Sequence, residues 1–360
     1  MIFNLFKSSS KLGIDIGASS VKIVELAKSG GRFVLKNYGF SELKSPAGNP
    51  LSDDPLRLPD EALTWTIKEI LTKSNIKSRD AVASIPSFST FATVIEMPYL
   101  SEDDLAKAIP FEARKYIPIP LQEVILDWSI VGIVENPSGP NVSTAMGTKA
   151  ATVEVFLAAV PKDETARYQR IMKAAGLNLV ALELENSGLI RALLGNDLSP
   201  TAIVNIGGRS TSIVIVAKGY ERLSHNYEIG GFEITKAIAR SLNISFEKAE
   251  ELKRKLGLTE SNENIVREAM VSLVDMMIFE AKKTITSYEE SKNKKIGRVV
   301  LVGSLVNMPY FIEYFKQRIG VDTYVGNVFS RVQYPQQLEP LVQELSNNFS
   351  IAVGLAMREV

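Results

Sequence analysis

Asp15-Ile16-Gly17-Ala18-Ser19-Ser20 reads as the end of a short apolar strand, a tight turn and the start of a second strand. The same pattern returns in the second half of the chain as Asn205-Ile206-Gly207-Gly208-Arg209-Ser210. The echo continues outward: Ile23-Val24 matches Ile213-Val214, and Ala27-Lys28 matches Ala217-Lys218. A glycine after a strand lets the backbone turn sharply and come close to a ligand. Turns of this kind present backbone N–H groups to anions, above all phosphates. One such turn alone reads best as a plain hairpin. Two in register, one per half, predict corners that face each other across a cleft.

Working outward, Leu12–Ile16, Val21–Leu26 and Phe33–Tyr38 form an expected three-stranded meander with a turn at Gly30-Gly31. A Pro/Gly/Asp-rich loop, 45–59, precedes an amphipathic helix carrying Leu63, Ile67, Ile70 and Leu71. The stretch from about Val82 to Asn178 differs in character and is expected to be an insertion. It holds a strand pair and a helix capped by Ser101 and Asp104, which Pro110 should kink or end early. An extended Tyr116–Pro120 segment, a polar loop at 136–149 and a buried strand at Val153–Ala159 follow. The helix Pro161–Ala175, stopped by Gly176, turns Tyr168, Ile171, Met172 and Ala175 inward. The second half restarts the meander at Ala202–Ile206, Thr211–Ala217 and Glu221–Glu228. Helices are expected at Phe232–Leu242, at Phe246–Leu256 with Ser245 as cap, at Asn264–Glu290, at Pro309–Ile319 and at Ser350–Glu359. The expected division is 1–195 for the first domain, with the insertion at about 82–178, and 196–345 for the second. Residues 346–360 form a helix that packs back on the first domain.

With 360 residues the chain has room for two or three domains, and 45% hydrophobic with 23% charged residues is ordinary for a globular protein. Zero formal net charge supplies no global field for nucleic acid or anionic lipid, so neither is expected as a direct partner. Lys292, Lys294 and Lys295 form a local basic run, read as a solvated loop. The absence of cysteine excludes disulfides, thiol chemistry and Cys-based metal sites. His225 is the only histidine and lies in a polar stretch, so it is read as a surface residue rather than a catalytic base. No stretch reaches the length of a membrane span, and Met1–Phe6 is too short for a signal peptide.

The chemistry follows from the turns. Gly17, Ala18, Ser19 and Ser20 offer donors to phosphate oxygens, and Lys22 adds a charge. Asp15 ends its strand where it can hold Mg²⁺ through water. Gly207, Gly208, Arg209, Ser210 and Thr211 supply the second set. Gly303-Ser304, at another strand end, is a weaker third site. Neither a Walker A pattern nor G-x-G-x-x-G occurs.

On these segments the chain resembles the PilM family of actin-like type IV pilus assembly proteins, and more distantly the FtsA family. Gly13–Lys22 looks like that family's first phosphate motif and Asn205–Thr211 its second. Gly230-Gly231-Phe232-Glu233-Ile234-Thr235 and Ala249-Glu250-Glu251-Leu252-Lys253-Arg254 match the stretch after it, and Val300–Ser304 looks like the adenosine motif. Ile95-Glu96-Met97-Pro98, Phe111–Pro120 and Leu126-Asp127-Trp128 are the features most specific to PilM.

The resemblance implies an α/β, actin-like (ribonuclease H-like) duplicated two-domain fold with an inserted subdomain in the first domain. It implies ATP and Mg²⁺ as cofactors, with Gly230, Gly231, Glu250, Lys253, Arg254, Gly303 and Ser304 added to the nucleotide contacts. It also implies a cytoplasmic protein, peripheral at the inner membrane. There it would bind the N-terminal cytoplasmic tail of PilN, and through PilN the PilO/PilP complex, with room for self-association. Phe111, Tyr116 and Ile117 are placed near the groove for that tail, with subdomain core as the plain alternative. Asp15, Glu185 and Asn205 are the catalytic candidates, with Glu183 beside Glu185. Asn205 stands where the family motif has Asp, and an amide cannot act as a base. Ser304 and Leu305 follow Gly303 where the family has more glycine. Binding with weak or no ATPase activity is therefore expected. An ATPase or small-molecule kinase on the same fold, and an FtsA-like filament-forming protein, are the rivals.

Overall fold

The computed structural model describes residues 10–17, 19–43, 58–135, 151–260 and 264–359. Met1–Phe6, Ala18, the 136–149 loop and most of the 45–59 loop lie outside them. In chain order the first lobe opens with β1 (Lys11–Ile16), β2 (Ser20–Ser29) and β3 (Arg32–Glu42). The β2–β3 hairpin turns on Gly30 and Gly31, both at positive φ, 56° and 78°. Two left-handed residues match the twist of a tight hairpin, and only glycine takes that conformation without cost. α1 (Asp60–Lys73) and β4 (Asp80–Ile85) follow.

The chain then leaves this sheet through β5 (Phe91–Pro98), α2 (Glu102–Ala113), β6 (Val124–Glu135) and β7 (Ala151–Pro161). It returns through α3 (Lys162–Ala174), β8 (Asn178–Leu184) and α4 (Glu185–Leu193). The second lobe contains β9 (Thr201–Ile206), β10 (Thr211–Ala217), β11 (Tyr220–Tyr227), α5 (Gly231–Leu242), α6 (Phe246–Leu256) and α7 (Asn264–Lys292). β12 (Arg298–Val302), α8 (Phe311–Ile319), β13 (Thr323–Val325), β14 (Val332–Gln333) and α9 (Val342–Ala356) complete the order.

Among the described residues three sheets result. The first has the order β14-β3-β2-β1-β4-β8, the second β11-β10-β9-β12-β13, and the third β5-β7-β6. Each large sheet starts with an antiparallel meander and continues with parallel strands. β9 shows how the second sheet serves two cores. Ala202, Val204 and Ile206 face the helical layer of α5, α7 and α8, while Ile203 faces Leu189, Ile190, Leu194, Ile351 and Leu355. That alternation is the two-residue period of a strand buried on both sides. α4 and α9 therefore lie between the two large sheets. They touch closely: a Cβ on Gly354 would lie 1.9 Å from the Gly188 carbonyl oxygen, and one on Gly13 would lie 1.9 Å from that of Ala352.

Four expectations need correction. The insertion is narrower than 82–178, because β4 and β8 pair within the first sheet and α3 packs on α1. The third sheet comes from residues 91–161 alone. α2 runs through Pro110 to Ala113, since Leu105, Ile109 and Ala113 are buried against that sheet and hold the last turn. α8 starts at Phe311, after Tyr310 at φ 60°, rather than at Pro309. α9 starts at Val342 instead of Ser350, and its polar first turns are internally satisfied. Ser346 Oγ donates to the Gly326 carbonyl and accepts from Val328 N–H, and Asn347 Nδ2 donates to Asn307.

Candidate functional site

The two glycine turns are superimposable in their hydrogen bonding. Gly17 N–H donates to the Ser20 carbonyl at 3.0 Å, and Gly207 N–H donates to that of Ser210 at 2.9 Å. A Cβ on Gly17 would meet the Ser20 oxygen at 3.2 Å, and one on Gly207 would meet the Ser210 oxygen at 3.2 Å. The turns also face each other across the lobes, since a Cβ on Gly208 would lie 2.5 Å from Ser19 Oγ. Ser19 is exposed, and Gly207, Gly208, Arg209 and Ser210 are half-buried, so both turns reach solvent where the lobes meet. Ala18 falls outside the described residues.

Around the second turn the backbone is tightly laced. Gly231 N–H donates to the Gly207 carbonyl at 3.0 Å and Phe232 N–H to that of Gly208 at 2.6 Å. Gly230 has no room for a side chain: a Cβ would lie 2.7 Å from the Gly207 oxygen and from Arg209 backbone. Thr211 is buried and its hydroxyl donates to the Ile229 carbonyl at 2.7 Å, so that donor serves the fold. Gly303 has φ 102°, and a Cβ there would lie 2.2 Å from the Ile206 oxygen. Its glycine is demanded by close packing on the end of β9, and Ser304 beside it is exposed.

α6 contributes a charged group. Lys253 is buried. It donates to the Gly231 carbonyl at 3.0 Å and to Thr235 Oγ1 at 2.8 Å, and it pairs with Glu250 at 2.6 Å. Burial lowers its pKa, with Glu250 opposing. Arg254 pairs with Glu250 at 2.8 Å and reaches Glu42, at the end of β3 in the first lobe, at 3.4 Å. That exposed pair spans the lobes. Glu42 carried no motif and was not legible beforehand.

The acidic residues gather on the first-lobe side. Asp15 is buried, accepts from Ser84 Oγ at 3.4 Å, and lies 3.6 Å from Lys22 Nζ. Glu185, the first residue of α4, accepts from Ser87 N–H at 3.1 Å and from Ser87 Oγ at 3.2 Å. Burial first, and then the nearby Asp15 carboxylate, push the Glu185 pKa up to about 7. Glu183 is turned elsewhere, into ion pairs with Arg191 and Arg358. Asn205 occupies the strand position equivalent to Asp15: Asp15 pairs with Lys22 across β1–β2, and Asn205 with Ser212 across β9–β10.

Sequence reasoning did not single out Asn186. Its Nδ2 donates to Glu221 at 3.0 Å, and its Oδ1 accepts from Ser87 Oγ at 3.4 Å. Its place directly after Glu185 was the available signal. Carboxylate oxygens are suited to Mg²⁺. Among the described residues no group of three or more His, Cys, Asp or Glu could hold a metal ion.

Two meander-led sheets, duplicated turns that face each other, and two helices between the lobes define an actin-like α/β fold. Solved structures agree. A PilM–PilN type IV pilus biogenesis complex matches with TM-score 0.78 and 23% identity, over 97% of this chain and 98% of that one. MreB5 of Spiroplasma citri bound to AMPPNP matches with TM-score 0.54 and 12% identity, over 97% and 95%. The cell division protein FtsA of Enterococcus faecalis is 21% identical over 385 residues, covering 93% of this chain and 85% of that protein. The chain belongs to the family described as type IV pilus assembly protein PilM, whose model matches residues 13–360.

Proposed function

We propose that this protein is an ATP-binding scaffold of type IV pilus assembly, which captures the cytoplasmic N-terminal tail of PilN and through it engages PilO and PilP. The observation that carries the nucleotide part is the contact between the two corners, Gly208 against Ser19, with the same internal hydrogen bond in each turn. Phosphates would be held by Gly17, Ser19, Ser20 and Lys22 on one side and by Gly207, Gly208, Arg209 and Ser210 on the other. Asp15 and Glu185 would face the magnesium ion, whose charge would screen the phosphates there. Asn205 supplies no base, so turnover is weak or absent. This argues against the kinase reading.

The partner part is supported by family membership and by the PilM–PilN match. Ile117 is buried in the core of the insertion, while Phe111 and Tyr116 are exposed, 68% and 43%, at the end of α2. Phe111 and Tyr116 remain the candidates for touching the tail. Among the described residues no helix is long and apolar enough to cross a membrane. A place at the inner membrane would thus be reached through PilN. The test is calorimetric titration of a PilN tail peptide into the full chain, with and without Mg-ATP. Binding that changes with nucleotide is expected; no binding in either state rejects the scaffold role, and no heat from Mg-ATP rejects the nucleotide site.

A further inference from the structure

We infer that the inserted three-stranded sheet is locked to the second lobe and moves with it, although the chain attaches it to the first. The lock is a meeting of two β-bulges. In β11, Glu221 pairs with Val216 and Leu223 with Ile215, which leaves Arg222 as the extra residue. In β6, Ile130 pairs with Val155 and Gly132 with Glu154, which leaves Val131 as the extra residue. Bulges re-aim side chains and interrupt a ladder, and here the two interruptions are joined. Arg222 Nη1 reaches Glu154 Oε2 at 2.9 Å, Nη2 donates to the Val131 carbonyl at 3.4 Å, and Nε donates to the Ala217 carbonyl at 3.1 Å.

The pair is deeply set: the Arg222 side chain is 6% exposed and that of Glu154 16%. Breaking a buried, hydrogen-bonded ion pair leaves a desolvated charge, so the joint resists separation. Room for it depends on Gly132, where a Cβ would lie 2.4 Å from Glu154 Oε2. β5 lies alongside β11, and Lys292 of α7 pairs with Glu96 of β5 at 3.0 Å. That second pair is half-exposed and adds little by itself.

The same strand touches the cleft floor. Glu221, the residue before Arg222, accepts from Asn186 of α4, which also accepts from Ser87 and, at 3.5 Å, from Ser212. Ser87 in turn donates to Glu185. A change at Glu185 is thereby passed through packed, hydrogen-bonded groups to the residue beside the joint. Cleft opening then swings the insertion relative to the first lobe, and this part rests on reading the cleft as a nucleotide site.

The absence of cysteine makes the test direct. Spin labels are placed on the full-length chain at Asp103→Cys in α2 with Lys282→Cys in α7, or at Asp103→Cys with Lys68→Cys in α1. Distances are read by pulsed dipolar spectroscopy. Without any ligand, the Asp103–Lys282 distribution is expected to be narrow, and Arg222→Met to broaden or shift it. Glu154→Gln serves as the milder variant and should broaden the distribution less than Arg222→Met. An unchanged distribution in Arg222→Met and Glu154→Gln overturns the joint. On adding Mg-ATP, a change confined to Asp103–Lys68 supports movement with the second lobe. A change confined to Asp103–Lys282 overturns it. Silence of both pairs to Mg-ATP speaks against the nucleotide reading, while the ligand-free variants still decide the joint.

Discussion

The first-lobe turn at Gly17 and the second-lobe turn at Gly207 share a backbone and differ in charge. Each closes on itself through one N–H bond, and each would bring an added Cβ to the same distance from the same carbonyl. Yet the strand position before the turn is Asp15 against Lys22 in one and Asn205 against Ser212 in the other. Turn geometry is set by glycine and the hydrogen-bonded hairpin, and it survives changes of side chain. The charge pattern is free to differ. The difference teaches that the shape of the turn and the charge beside it are separable properties of one motif.

The comparison can be broken most severely at its shared element. Gly17→Asp and Gly207→Asp should each weaken Mg-ATP binding at least ~100-fold, because a carboxylate is set against phosphate oxygens. Equilibrium titration with a fluorescent ATP analogue checks this, and a loss in only one of them would show that the turns are not functionally paired. Restoring the charge symmetry sharpens it further. Asn205→Asp should raise any hydrolysis rate by about tenfold or more, since a carboxylate can orient and deprotonate water. Phosphate release under single-turnover conditions reads the effect, and no increase would place the deficit elsewhere in the cleft.

The smallest effect concerns Glu185. Its folded pKa, about 7, is raised above the usual 4.5, so the native state binds the extra proton between those values. That contribution is complete below the unfolded pKa and is lost as pH rises through about 7. Wild-type stability should therefore fall between pH 5 and pH 8 by about 1–2 kcal/mol more than that of Glu185→Gln, allowing for a carboxyl at the solvent border. Urea denaturation across that range measures it, and parallel curves for the two proteins would remove Glu185 as the titrating group.

Much of this architecture was legible from residues alone. The repeated turn announced the duplication, and Gly176 and Ser245 marked helix ends that the structure places where expected. What escaped notice has physical causes. The first turns of α9 read as polar because Ser346 and Asn347 satisfy partners distant in sequence. Pro110 reads as a breaker, but buried neighbours one turn either side outweigh one missing hydrogen bond. Lys253 carries a motif resemblance, but its ammonium is held by Gly231, Thr235 and Glu250. Register shifts at Arg222 and Val131 leave no composition signal, because a bulge is a property of pairing.

β14 runs parallel to β3 in the first sheet, and α9 lies against β1. A ribosome releases the N-terminal strands long before these late partners exist. The first lobe therefore emerges with an unmatched strand edge and a bare apolar face, which Val332–Gln333 and Val342–Ala356 cover. Its maturation waits on these two segments, and contacts of such long sequence separation close slowly.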